Sequence, residues 1–202
     1  HRYDIFSIPS IDELPLILSQ HPDLCGLNVT IPYKEQVLPF LNKTDEVVQK
    51  IKACNCIRIK NGKLKGFNTD VIGFETSLKE QLRPHHQKAL ILGTGGAAKA
   101  VEYVLQKAGI YFKYVSRKKK ADNFTYSELD KHIMDAHQLI INTTPVGTYP
   151  AVNEAPDIPY EHLTSQHYLF DLVYNPAKTL FLQKGEQKGA IAKNGYDMLL
   201  IQ

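Results

Sequence analysis

Hydrophobic spacing changes character along the chain. Ser10-Ile11-Asp12-Glu13 has the form of a capping box and precedes apolar positions at Leu14, Leu16, Ile17 and Leu18, which predicts a helix. Leu24–Val29 reads as a short buried strand. Pro32 suits the first turn of a helix carrying Lys34 to Leu41, since a first-turn proline gives up an amide that would be unpaired anyway. Cys56–Lys60 and Lys63–Phe67 alternate with a two-residue period about Asn61-Gly62, a pair suited to the positive φ angles of a type I′ turn, so they predict a hairpin. After Asp70 the apolar positions Val71, Ile72, Phe74, Leu78 and Leu82 recur at helical spacing until Arg83-Pro84-His85-His86 interrupts them. A domain boundary is expected there, giving domains 1–83 and 84–202. Beyond it come strand Ala89–Leu92, helix Ala97–Lys107, strand Tyr111–Ser116, a helical stretch near Glu128–Met134, and strands Gln138–Asn142 and Tyr168–Tyr174. Alternating β and α units imply an α/β fold with parallel sheet covered by helices.

Composition narrows the function classes. At 202 residues, 43% hydrophobic and 22% charged, the chain has material for two small cores and is not disordered. The net charge of +3 is dispersed apart from Arg117-Lys118-Lys119-Lys120, and no basic stripe is interleaved with aromatics, so nucleic acid is not an expected partner. No apolar run reaches the length of a membrane span. Cys25, Cys54 and Cys56 make neither a disulfide framework nor a four-ligand zinc set, so no metal is expected and a reducing, cytoplasmic setting is.

Gly93-Thr94-Gly95-Gly96-Ala97-Ala98 fits G-x-G-x-x-A, follows the apolar strand and opens a helix. Glycines in that place let backbone turn and approach a pyrophosphate, while the helix N-terminus offers free amides and partial positive charge. A dinucleotide-binding domain of Rossmann type is expected, with a glycine-rich turn that binds nothing as the alternative. At the end of the next strand, Ser116-Arg117-Lys118 stands where an NAD enzyme presents a carboxylate to the ribose. A guanidinium there can hold a 2′-phosphate, which favours NADP (as NADPH) over NAD; the competing reading is a solvated surface turn.

In the first domain, Asn28-Val29-Thr30-Ile31-Pro32-Tyr33-Lys34 puts hydrogen-bonding groups and a lysine just after a strand, and Phe67-Asn68-Thr69-Asp70 repeats that placement. If the two loops converge, Lys34 and Asp70 form a cation and anion pair suited to proton transfer. Lys34 as an exposed helix lysine and Asp70 as an N-cap remain open on spacing alone.

Taken in order, these segments resemble the motifs of shikimate dehydrogenases. Asn28 to Lys34 resembles their N-V-T-x-P-x-K, Asn68-Thr69-Asp70 their N-T-D, and Gly93 to Ala98 their G-x-G-G-A loop. Asn142-Thr143-Thr144-Pro145-Val146-Gly147 is similar to N-x-T-P-x-G, Asp171 to Pro176 to D-x-x-Y-x-P, and Asn194 to Gln202 to the N-G-x-x-M-L-x-x-Q ending. The resemblance implies a substrate domain with a mostly parallel sheet, then a Rossmann-type NADP domain, with a cleft between them. It implies reversible NADPH reduction of 3-dehydroshikimate to shikimate, in the cytoplasm, on the route to chorismate and the aromatic amino acids, by a monomer or homodimer. By the same resemblance Lys34 and Asp70 are the catalytic pair, and Thr30, Asn55, Asp70, Tyr174 and Gln202 hold the substrate. Gly93, Gly95, Gly96, Ala97, Ser116, Arg117, Lys118 and Thr143 would hold the cofactor, with Gly195 and Met198 against the nicotinamide.

Several positions depart from the family pattern. Cys56 follows Asn55 where the family has threonine, Ser116-Arg117-Lys118 replaces N-R-T, and Thr148 stands where methionine is common. The family's opening strand, with two serines for the substrate carboxylate, would precede His1, and its closing helices would follow Gln202, so the chain is expected to be a fragment. The rivals are a quinate/shikimate dehydrogenase using NAD and a non-catalytic nucleotide-sensing protein on the same scaffold.

Overall fold

The computed structural model describes residues 2–120 and 122–202. By its internal contacts the chain divides into two compact units, His1–Asn68 and Thr69–Gln202.

The first unit comprises α1 (Leu14–Gln20), β1 (Gly26–Asn28), β2 (Lys43–Thr44), α2 (Glu46–Ile51), β3 (Cys56–Lys60) and β4 (Lys63–Phe67). The hairpin forms as the alternation predicts: Cys56 lies opposite Phe67 and Lys60 opposite Lys63, with Asn61 and Gly62 at φ 51° and 69°. Its inward positions Ile57, Ile59 and Leu64 join Leu14, Val37, Val48 and Cys54 in one core. The sheet, in order β1-β3-β4-β2, is not the mostly parallel one expected: β1 and β4 both run antiparallel to β3, and only β2 and β4 run parallel. A two-residue turn can join β3 to β4 only in the antiparallel sense.

The helix expected over Lys34 to Leu41 does not form. Residues 31–37 are turns followed by a 3-10 turn at Leu38–Phe40, and Val37 N–H to Tyr33 O is an isolated helical bond in this stretch. Pro39 has no amide to continue a ladder onto Glu35. Conversely α2 escapes the hydrophobic pattern; Asp45 starts it by accepting from Val48 N at 2.7 Å.

The second unit runs α3 (Asp70–Lys79), β5 (Lys88–Leu92), α4 (Gly96–Lys107), β6 (Tyr111–Ser116), β7 (Phe124–Thr125), α5 (Lys131–Ala136), β8 (Leu139–Asn142), β9 (Tyr168–Asp171), α6 (Leu180–Gln187), β10 (Ile191–Lys193) and α7 (Tyr196–Ile201). All six strands are parallel in the order β7-β6-β5-β8-β9-β10. That is the doubly wound order 3-2-1-4-5-6, whose direction reverses between β5 and β8. Each described residue of β8 and β9, and each of β5 after Lys88, is buried, as strands covered on both faces require. Leu90, Leu92, Ile140 and Leu169 face one core with Phe181, Leu182 and Met134.

Contacts place α3 in this second unit, so the units part between Asn68 and Thr69 rather than near Arg83. Gly73 lets α3 approach α7 so closely that a Cβ there would lie 2.6 Å from Met198 O, and Phe74 is buried edge-on against Phe170. The break in helical pattern at Arg83-Pro84 ends the helix; it does not end the unit.

Candidate active site

The end of β5 is shaped by three close approaches. Gly93 adopts φ +101° and donates to Val115 O on β6 at 2.9 Å. A Cβ on Gly93 would lie 2.8 Å from Thr144 Cγ2 and 2.9 Å from Thr143 Oγ1, so glycine is demanded by both the backbone angle and the packing. Thr143 itself turns inward, its hydroxyl donating to Leu92 O at 2.6 Å.

Gly95 is different. It holds the N-cap position of α4 in extended backbone open to any residue, and a Cβ added there meets nothing within 4 Å. Neither strain nor packing within the protein calls for a glycine, whereas close approach of a ligand does. Gly96 and Ala97 open α4, and no side chain caps that helix, so its first amides face outward with the positive end of the helix dipole. The cradle fits a pyrophosphate.

At the end of the neighbouring β6, Ser116 donates to Lys118 O at 2.7 Å and Asn123 clamps the turn by donating to Ser116 Oγ and to Lys118 O. The Ser116 hydroxyl is thus engaged in shaping the turn. Lys119 is tied to Glu128 at 2.7 Å, while Arg117 and Lys118 are exposed and no carboxylate pairs with Arg117 among the described residues. The turn therefore offers a guanidinium and no competing anion where a 2′-phosphate would be read.

Behind these loops lies a polar network that the sequence reading did not assign to the site. Asn142 ends β8 and Asp171 ends β9, both fully buried. Asn142 Nδ2 donates to Asp171 Oδ1 at 2.9 Å, and Asn142 Oδ1 accepts from the Thr144 amide at 3.1 Å and hydroxyl at 2.6 Å. Asp171 also accepts from Val173 N at 3.0 Å and from Thr179 Oγ1 at 2.6 Å. Burial pushes the Asp171 carboxyl up to about 6, against the downward pull of those three donors. Polar residues ending two otherwise apolar strands were the available signal.

In the first unit, backbone bonds gather the expected catalytic residue Lys34 and two of the expected substrate residues, Thr30 and Asn55. Val29 N donates to Asn55 O at 2.8 Å, Cys54 N to Lys34 O at 2.8 Å and Asn55 N to Phe67 O at 3.1 Å. Thr30, exposed beyond β1, thereby shares a neighbourhood with half-buried Lys34 and buried Asn55. Burial pushes the Cys54 and Cys56 thiols up, away from thiolate chemistry.

The remaining expected residues belong to the second unit. Asp70 is the first residue of α3, with Thr69 in the N-cap position, and is 3% exposed. Its carboxylate sits at the helix end that favours negative charge. Tyr174 is exposed after β9, and Gln202 is exposed at the end of α7. Gly195 lies so near β9 that a Cβ would come within 2.3 Å of Leu172 O, and Met198 is buried beside Gly73. Among the described residues no group of three or more His, Cys, Asp or Glu could hold a metal ion.

Residues 1–57 match the family model described as the shikimate dehydrogenase substrate binding domain. The shikimate dehydrogenase (NADP(+)) of Carboxydothermus hydrogenoformans is 42% identical over 192 residues, spanning 88% of this chain and 69% of the relative. The chain belongs to the shikimate dehydrogenase family. Among solved structures, shikimate 5-dehydrogenase from Thermus thermophilus, in complex with NADP(H) and shikimate, is 30% identical with a TM-score of 0.81, over 95% of this chain and 75% of that one. A quinate dehydrogenase from Corynebacterium glutamicum in complex with NAD is 26% identical, also with a TM-score of 0.81, over 96% of this chain and 76% of that one. Membership accounts for the ordered motifs, and the doubly wound second unit is the family's Rossmann-type domain.

Proposed function

We propose that this protein interconverts 3-dehydroshikimate and shikimate with NADP(H), as the names of its relatives indicate for them. The observation that carries the cofactor choice is the open cradle at Gly95 beside the unpaired Arg117. Gly93, Gly95, Gly96 and Ala97 present backbone to the pyrophosphate, Arg117 and Lys118 meet the 2′-phosphate, and Ser116 and Thr143 support those loops. Gly195 and Met198 serve the nicotinamide end. NADPH supplies the hydride when bound.

The substrate assignments follow the family motifs. Lys34 Nζ gives a proton to the ketone oxygen as it gains charge, and Asp70 accepts from a substrate hydroxyl. Thr30, Asn55, Tyr174 and Gln202 hydrogen-bond the ring substituents. On this reading the first unit is the substrate domain and the second the NADP domain, with the α3 segment shared in function though it packs with the second. The three free cysteines favour a reducing cytoplasm, and no helix among the described residues is long and apolar enough to cross a membrane. Supply of shikimate for chorismate, by a monomer or homodimer, completes the proposal.

The test is NADPH oxidation followed by absorbance, with 3-dehydroshikimate and 3-dehydroquinate offered in parallel, and with NADH substituted for NADPH. Turnover confined to dehydroquinate would overturn the substrate, and turnover with neither would overturn the enzyme reading. Arg117→Asp should weaken NADPH by about 1.5–3 kcal/mol and NADH hardly at all; equal losses would make Arg117 a surface charge only.

A further inference from the structure

We propose that Asp171 is a positioning residue for the dinucleotide, joining the loop that carries Thr143 and Thr144 to the loop that approaches Gly195. The inference rests on the NADP reading and deepens it. Through Asn142, the Asp171 carboxylate fixes the Thr144 amide and hydroxyl. Thr143 and Thr144 in turn form the surface against which Gly93 closes. Through Val173 N, the same carboxylate fixes the backbone leaving β9. That backbone supplies Leu172 O, which Gly195 approaches, and Val173 O, which accepts from Gly195 N at 3.2 Å. Through Thr179 it also reaches the N-cap of α6.

Three donors converge on this one buried group. Val173 N–H and the Asn142 amide can only donate, so a protonated acid could turn its hydrogen only toward the Thr179 hydroxyl, which would then give up its own bond to the carboxylate. With both N–H donors on one oxygen and the hydroxyl donating to the other, the hydrogen-bond pattern favours the ionised carboxylate. Yet an ionised carboxylate in that place is expensive, because burial outweighs the three bonds and raises the group to about 6. A side chain retained only for stability would not carry that penalty at neutral pH, since asparagine has the same shape and no charge to desolvate. The geometry that the charge enforces is at the loops, not in the core. Tyr160, whose ring packs edge-on against Phe181 and whose hydroxyl donates to Pro156 O at 2.7 Å, is a titratable group within electrostatic range of Asp171, and burial keeps its phenol neutral.

Asp171→Asn in the full chain separates the two roles. Melting temperature without nucleotide should be unchanged or raised. At pH 7.5 the dissociation constant for NADPH, measured by calorimetry, should rise roughly tenfold, the equivalent of one weakened charge-assisted contact. The ratio of variant to parent should fall toward one near pH 5, where the parent carboxyl is itself protonated; comparing ratios cancels the titration of the 2′-phosphate. The KM for 3-dehydroshikimate should not move. Unchanged NADPH affinity in a folded variant, or loss of affinity only in step with melting temperature, would overturn the proposal. If the variant does not fold, binding of NADH to the parent between pH 7.5 and 5 decides: a fall through about pH 6 supports the role, and a flat profile removes it. A parent chain that binds neither nucleotide would instead overturn the NADP reading.

Discussion

The two units hold their working groups by different means. In the second, the loops hang from the ends of β5, β8 and β9, strands buried on both faces and paired in continuous parallel register. In the first, Thr30 and Lys34 follow a three-residue strand, lie in or beside turns without a helical ladder, and meet Asn55 through single backbone bonds from Val29 and Cys54. One unit presents its loops from the ends of neighbouring strands in one sheet; the other gathers its polar groups from three separate segments. The contrast teaches that the cofactor half can be judged from its own packing, whereas the substrate half draws its meaning from the family motifs.

The largest effect should separate the halves outright. Lys34→Ala should lower turnover by roughly two to four orders of magnitude, as loss of a proton donor does, with substrate KM little changed. Because the hydrogen bonds that brace the nucleotide loops join residues of the second unit, NADPH affinity measured by calorimetry should be that of the parent. Near-normal turnover with a raised KM would make Lys34 a binding residue, and a parallel loss of NADPH affinity would erase the proposed division of labour.

A smaller effect tests the cradle with one methyl group placed at two glycines. Gly95→Ala adds a Cβ where nothing lies within 4 Å, so melting should shift little while NADPH affinity falls by about tenfold. Gly195→Ala drives the same group to 2.3 Å from Leu172 O, and the backbone must move, at a loss of about 1–3 kcal/mol in stability. Thermal melts and calorimetry on both variants provide the check. Should Gly95→Ala bind NADPH normally, the open space at the helix N-terminus is not where the pyrophosphate lies.

Legibility followed contiguity. Strand, glycine turn and helix at 89–107 could be read because the motif is one unbroken segment whose period changes at the glycines. The Asn61-Gly62 hairpin was equally readable, since the turn residues dictate their own φ angles. What failed depended on distant partners. Pro32 suggested a helix that Pro39 and the bond from Cys54 to Lys34 O replace with turns. The unit boundary was misplaced from Thr69 to Arg83 because helix spacing shows that α3 is amphipathic but not which unit it covers; Gly73 and Phe74 settle that by packing on α7 and β9. Asn142 and Asp171 were visible as motif letters, and their bond across 29 residues was not.

The smallest effect concerns acid. His86, His137 and His167, at most 7% exposed, all lie in the second unit. Burial lowers all three, against bonds to backbone carbonyls that pull the other way. His86 Nδ1 accepts from Arg83 N and His167 Nδ1 accepts from Thr164 N, so neither can gain a proton without opposing an N–H. The positive groups around His86 are His85, Arg83 and His167; Lys88 and Lys113 stand near His137, and Asp135 near His167 is the opposing carboxylate. The unfolded chain therefore binds more protons than the folded one once pH falls below about 6.5. Stability should be full above that pH and decline below it, by at most about 1.4 kcal/mol per pH unit for each histidine. Asp171 acts in the opposite sense: its raised value means that the folded state takes up a proton first as pH falls through about 6, which partly offsets the loss. Three groups against one leave a net decline. Melting temperature should drop between pH 7.5 and 5.5, and His167→Asn, which keeps an acceptor for Thr164 N, should shallow that slope by roughly a third to a half. A slope unchanged by His167→Asn would mean that the acid lability lies with groups outside this buried set.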